Sequence, residues 1–245
     1  MQSQKQFKRR FSFEFFPPKT DQGKEKLQNV RNQLAEVNPD FFSVTFGAGG
    51  STRDRTIETV LNLHSQGIST APHLSCVGGT RQEIGELLDL YREHGINRIV
   101  ALRGDMPSGM GAAGELRYAN ELVEFIREHS GDTFNLEVAA YPEFHPQARN
   151  AEEDLKNFAR KVQAGANSAI TQYFFNADSY FYFIDRLEKM GVTIPVVPGI
   201  MPIVNFSNLV RFSDMCGAEI PRWIRKQLEA YGDDSDSIRK FGEEV

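Results

Sequence analysis

Seven short apolar runs punctuate this chain roughly thirty residues apart, the length of one strand-helix-strand repeat. They are Phe11–Phe16, Phe41–Phe46, Thr70–Cys76, Arg98–Leu102, Leu136–Ala140, Ala169–Phe174 and Val196–Ile200. Each has strand length and is rich in Val, Ile, Phe or Ala. The segments between them carry helical spacing. Ile57, Val60, Leu61 and His64 share one face of Asp54–His64, and Ile84, Leu87, Leu88 and Tyr91 share one face of Gln82–Tyr91; Asn120–Ile126 and Asp154–Val162 continue the pattern. Gly67-Ile68, Gly95-Ile96, Gly165-Ala166 and Gly191-Val192 each close a helical stretch before a strand. A glycine there takes the left-handed conformation, and the apolar residue after it packs beneath the helix end.

Strand, helix, glycine, strand is the repeating unit of a parallel sheet. Strict alternation predicts an α/β fold of the (β/α)8 barrel type, with seven strands visible. Residues 1–245 read as one such domain, since barrels of this kind run about 200–250 residues. Helical stretches follow at Phe206–Met215 and Pro221–Tyr231, and the charged tail Gly232–Val245 contains no eighth strand.

Composition narrows the function. With 28 Lys plus Arg against 33 Asp plus Glu, the net charge is −5, which argues against a nucleic-acid surface. No apolar stretch approaches the roughly 18 residues of a membrane span. The basic start, MQSQKQFKRRF, lacks the apolar core of a signal peptide, so a cytoplasmic protein is expected. Cys76 and Cys216 have no CxxC companion and read as buried apolar residues. His73 and His145 lack HxH or HxxxH partners, so no metal is expected.

In a barrel the active site lies where strands end. Six of the seven runs deliver polar groups there: Glu14; Thr45 followed by Gly47–Gly50; His73; Arg103-Gly104-Asp105; Tyr141-Pro142-Glu143 with His145; and Thr171-Gln172. This convergence reads as an enzyme. Glu14 stands among Phe13, Phe15 and Phe16. Desolvation by those rings is expected to raise its pKa and keep it protonated, ready to act as an acid. Gly109–Gly114 satisfies GxGxxG but does not abut a strand, so it is not read as a dinucleotide site. The aromatic cluster Tyr173–Phe183 reads as core or loop packing.

The ordered set FEFFPP (13–18), SVTFGA (43–48), APHL (71–74), ALRGD (101–105), AYPE (140–143), ITQYFF (170–175) and PGIMP (198–202) resembles bacterial methylenetetrahydrofolate reductases from about residue 11 to 240. The resemblance implies a flavoprotein barrel of one-carbon metabolism and methionine biosynthesis. Its reaction reduces 5,10-methylenetetrahydrofolate to 5-methyltetrahydrofolate, with NADH or NADPH as donor, through FAD in a ping-pong scheme. It implies Glu14 as general acid, Asp105 beside flavin and substrate, and Gln172, Phe212 and Asn208 as substrate contacts. Asn208 stands where the family often has Gln. For FAD it implies Thr45, Ala48, His73, Arg103, Gly104, Asp105, Tyr118, Ala119, Tyr141, His145, Asp154, Asn157 and Lys161. It also implies self-association, and a closing segment with the eighth strand beyond Val245. Two alternatives stay open on the residues alone: a flavin-free barrel lyase or isomerase using Glu14 and Asp105, and a non-catalytic folate- or flavin-binding form.

Overall fold

The computed structural model describes residues 1–46, 50–104 and 114–245, with backbone only over 50–52. Asp105, Ala48 and most of Gly109–Gly114 lie outside the described residues. Among the described residues there are seven strands: β1 (Ser12–Phe15), β2 (Phe41–Val44), β3 (Thr70–Ser75), β4 (Arg98–Leu102), β5 (Asn135–Ala140), β6 (Ser168–Thr171) and β7 (Val196–Val197). Each falls in or against one of the seven apolar runs. The helices between and after them are α1 (Asp21–Ala35), α2 (Gly50–Ser65), α3 (Arg81–Glu93), α4 (Ala119–Ser130), α5 (Ala151–Gln163), α6 (Ala177–Lys189), α7 (Phe206–Cys216), α8 (Arg222–Tyr231) and α9 (Ser235–Glu244).

These residues form two compact units. One, here the amino-terminal unit, comprises Lys8–Val138 and Lys161–Ser168; the carboxy-terminal unit comprises Met1–Phe7, Ala139–Arg160 and Ala169–Val245. Within the first, β1, β2, β3, β4 and the start of β5 pair in parallel and in chain order. Within the second, β6 and β7 pair in parallel. The α/β fold with seven parallel strands is the predicted one.

Parallel strands covered on both faces read as continuous apolar runs. All four residues of β2 and the first five of β3 are buried accordingly. The helices supply the cover: Ile84, Leu87, Leu88 and Tyr91 from α3 and Leu122, Val123 and Ile126 from α4 follow the predicted pattern, whereas α2 buries Val60 with Leu63, and Ile57, Leu61 and His64 of its predicted stripe are only partly buried. In the carboxy-terminal unit a separate core gathers Tyr173, Ile203, Leu209, Ile220, Ile224, Leu228, Ile238 and Phe241. It packs α7, α8 and α9 together, so the charged tail is a helix.

The glycine punctuation works as expected. Gly95 has φ +77° and Gly165 φ +116°. In each case the next residue returns its N–H five positions back, Ile96 to the Tyr91 carbonyl at 3.0 Å and Ala166 to the Lys161 carbonyl at 3.2 Å. Both apolar residues are buried beneath the turn. This is the Schellman closure that turns each helix toward its next strand.

Candidate functional site

Register decides which side chains share a face. Glu14 of β1 pairs with Ser43 of β2, and Ser43 pairs with Ala71 of β3. Side chains alternate along a strand, so His73, two residues after Ala71, lies on the same face as Glu14. Phe13 and Phe15 lie on the other face, where both rings stack against Phe42 at 5.9 and 5.3 Å. The expected enclosure of Glu14 by its phenylalanine neighbours is therefore overturned: residues adjacent in a strand point apart, and the Glu14 side chain is 50% exposed.

His73 Nε2 instead lies 3.5 Å from Glu14 Oε2. The imidazole is only 6% exposed, and Nε2 has no hydrogen-bond partner among the described residues. Burial pushes the His73 pKa down, with the Glu14 carboxylate pulling the other way, so the ring is neutral near physiological pH.

Beyond β3 and β4 the chain is tightly tied. Ser75 Oγ donates to the Arg103 carbonyl at 2.8 Å, and the Val77 N–H reaches the same oxygen at 3.1 Å. Gly104 follows with φ +85°, and a Cβ there would sit 2.0 Å from Ser75 Oγ. The left-handed φ and the crowding by the Ser75 side chain together favour glycine there. Thr45 is held after β2 by its N–H to the Phe15 carbonyl at 2.9 Å, while its own carbonyl accepts from Thr56 Oγ1 at 2.8 Å. Tyr118 precedes Ala119 at the head of α4, with its ring exposed. Lys161 stands on α5 with Asp154 and Asn157, as the predicted i, i+3, i+7 spacing requires, and belongs to the amino-terminal unit. Cys76 is fully buried, and burial raises its thiol to about 11, which leaves an inert apolar side chain.

In the carboxy-terminal unit, the loop after β5 is knotted by Asp154. Its Oδ2 accepts the His145 N–H at 2.9 Å, and His145 Nδ1 accepts the Gln147 N–H at 3.0 Å. That Nδ1 carries no proton, so the neutral ring bears its hydrogen on Nε2. The Tyr141 and His145 rings meet edge-on at 4.6 Å. Asn157 Oδ1 accepts from Arg160 at 2.7 Å. Gln172 folds back so that its Oε1 accepts the Tyr173 N–H at 3.0 Å. On α7, Asn208 is exposed in the first turn and accepts from Arg211 at 3.4 Å, while the Arg211 guanidinium lies 5.2 Å from the Phe212 ring centre.

The sequence reading did not include the cleft of ≈ 220 Å³ in this unit lined by Glu143, Phe175, Asn176, Glu219, Pro221 and Trp223. The lone tryptophan, directly behind Pro221-Arg222, was the available signal. Glu143 Oε2 accepts the Glu219 N–H at 2.8 Å, and burial, with the Glu219 charge beside it, raises the Glu143 pKa. Among the described residues, no three His, Cys, Asp or Glu side chains are grouped to hold a metal ion. No described helix is long and apolar enough to cross a membrane.

The family model described as methylenetetrahydrofolate reductase matches residues 1–245. The 5,10-methylenetetrahydrofolate reductase of Escherichia coli K12 is 41% identical over 235 residues, covering 96% of this chain and 78% of the relative. Methylenetetrahydrofolate reductase (NADH) 1 of Zea mays is 37% identical, covering 95% of this chain and 42% of that protein. Among solved structures, an uncharacterised Clostridium thermocellum protein described as binding two copies of 5-methyl-5,6,7,8-tetrahydrofolic acid superposes with a TM-score of 0.62 at 17% identity, covering 95% of this chain and 81% of that one. At that identity it supports the fold alone.

Proposed function

This chain belongs to the methylenetetrahydrofolate reductase family, and on that premise we propose that it reduces 5,10-methylenetetrahydrofolate to 5-methyltetrahydrofolate with NADH or NADPH, through FAD, the donor and the folate reacting in turn. The observation that carries the reading is the position of Glu14: a half-exposed carboxyl at the end of β1, on the face it shares with buried His73. The residues present fit a flavin. Arg103 and Lys161 bring cationic groups suited to a pyrophosphate, and Thr45 adds a hydroxyl. Thr45, His73, Arg103, Gly104, Tyr118, Ala119 and Lys161 of the amino-terminal unit would hold it. Tyr141, His145, Asp154 and Asn157 carry the same assignment in the carboxy-terminal unit, and Ala48 and Asp105 carry it outside the described residues. When bound, FAD supplies the two-electron relay between nicotinamide and folate.

The remaining chemistry falls to the side chains. The folate's five-membered ring opens only when its departing nitrogen is protonated, and Glu14 holds that proton. Ring opening leaves a cationic iminium on the substrate, and the Asp105 carboxylate lowers its energy by charge attraction. Gln172 contacts the pterin, and Phe212 stacks on the substrate with Asn208 one turn before it. Glu14→Gln tests the reading in anaerobic half-reactions: reduction of the enzyme by NADH is expected to persist, and transfer to the folate to be lost. Equal loss of both half-reactions would remove the acid role from Glu14.

A further inference from the structure

We propose that His73 is the positioning residue for Glu14: its Nε2–H anchors Glu14 Oε2 and leaves Oε1 to present the proton to the folate. The proposal rests on the reading of Glu14 as the proton donor. Its basis is geometric. Strand register puts the two side chains on one face, and the nearest approach is 3.5 Å between Nε2 and Oε2. That separation is long for a hydrogen bond, but contacts of this kind commonly tighten only when substrate is bound. The two partners differ in freedom. His73 sits in a strand buried along nearly its whole length, between Pro72 and Leu74, and its ring is fixed by packing. Glu14 is half exposed and has three rotatable side-chain bonds, so on its own it would spread over many rotamers.

A rigid, neutral imidazole is suited to collect that freedom. It does not compete as an acid, and it carries one proton to donate. After Glu14 releases its own proton, the carboxylate left behind accepts a stronger, charge-assisted bond from Nε2–H, while solvent reaches the exposed side of Glu14 to restore the lost proton. Burying an imidazole nitrogen with nothing to bond is unfavourable by itself, and the Glu14 contact supplies the missing partner.

The resemblance gives His73 to the flavin, and the experiment separates the two uses. Holoenzyme variants His73→Leu, His73→Asn and His73→Gln would be compared per bound flavin in the two anaerobic half-reactions. The Gln amide extends close to the reach of Nε2, whereas the Asn amide stops one carbon short. Leu and Asn are expected to slow the folate half-reaction by ~10- to 100-fold with little change in folate KM, as loss of orientation does. The nicotinamide half-reaction should fall at least tenfold less, and Gln should recover most of the lost rate. The residual folate transfer of Glu14→Gln, followed in long single-turnover runs, should not fall further when His73→Asn is added, because the effect of His73 passes through Glu14. Equal slowing of both half-reactions, or losses that add to those of Glu14→Gln, would overturn the proposal while leaving the Glu14 assignment standing. A Glu14→Gln enzyme with full folate activity would instead overturn that assignment, and this proposal with it. If the Leu variant does not fold, the Asn and Gln pair decides alone.

Discussion

Among the described residues of the amino-terminal unit, Glu137 is the most deeply buried carboxylate, 3% exposed on β5. It is met by the Arg98 guanidinium, by the Ser168 hydroxyl and by Asn135 Nδ2 at 3.1 Å, while Arg98 also stacks over Phe41 at 4.6 Å. Arg98 opens β4, at the end of the strands away from Glu14 and Arg103, where residues serve stability more than chemistry. Arg98→Met keeps the packing but strands a buried charge, and is expected to destabilise by about 3–5 kcal/mol in urea melts, with the rate per folded molecule unchanged. A loss under 1 kcal/mol would mean that Glu137 finds another partner. Gly104→Ala has the opposite signature. The φ of +85° and the 2.0 Å clash with Ser75 Oγ are expected to lower stability by about 1–3 kcal/mol and to weaken flavin retention as well. Retained flavin in a folded variant would remove Gly104 from the cofactor site. Glu14 shows why single side chains are hard to read from sequence. Its neighbours in the chain are phenylalanines, yet its neighbours in space come from β2 and β3, because alternation sends adjacent residues to opposite faces.

Elements were more legible than side chains, because each is specified by its own period. All seven strands fall on the apolar runs, and the helices with a dense apolar stripe, such as α3 and α4, lie where the stripe indicates. α1 escaped because its stripe is thin: Leu27, Val30 and Leu34 are its only large apolar residues and none of its residues is buried, although Thr20 caps it through the Gly23 N–H. α6 was obscured because its aromatic residues fit core or loop packing equally well, yet Tyr180, Phe183, Ile184 and Leu187 follow helical spacing and are buried. The helix ends were legible from glycine alone. Gly95→Ala forces a left-handed Ala and is expected to lower the urea midpoint by the equivalent of about 1 kcal/mol, with Gly95→Asn milder. Equal midpoints for Gly95→Ala and wild type would mean that the turn relaxes. The amino-terminal 3-10 helix, Ser3–Gln6, is tied down differently, through Glu188 on α6. Hydrogen bonds from the Ser3 hydroxyl and N–H, helped by the Met1 ammonium, hold the Glu188 pKa at about 2 instead of 4.5. A depressed carboxylate stabilises above its ordinary pKa and ceases to do so as pH falls through the depressed one. Protection of the Ser3 amide in hydrogen exchange is therefore expected to hold above 4.5 and to fade toward about 2. Glu188→Gln should weaken that protection at neutral pH, and unchanged protection would show that Gln4, bonded to the Ile194 carbonyl and the Val196 N–H, suffices.

At the scale of each whole unit, candidate residues could be gathered from sequence because parallel strands joined by helices bring their ends to one side of their sheet, whatever their separation in the chain. What could not be gathered were the pairings that depend on register and on loops: His73 beside Glu14, Asp154 knotted to His145, and the cleft beside Trp223. Binding tests the assembled set, since a ligand that engages only folded protein must stabilise it. FAD at a hundred times its Kd is expected to add about 2.7 kcal/mol, a rise in Tm on the order of 5–10 °C for a chain of this size. The rise should grow with FAD concentration, be absent with adenosine diphosphate at equal concentration if the isoalloxazine contacts matter, and shrink in Gly104→Ala. Glu14→Gln should keep the full rise, because Glu14 is assigned to the folate and not to the flavin. A Tm indifferent to FAD but raised by 5-methyltetrahydrofolate would identify a folate-binding protein without the flavin step. A Tm indifferent to both would detach this sequence from the chemistry that its strand ends spell out.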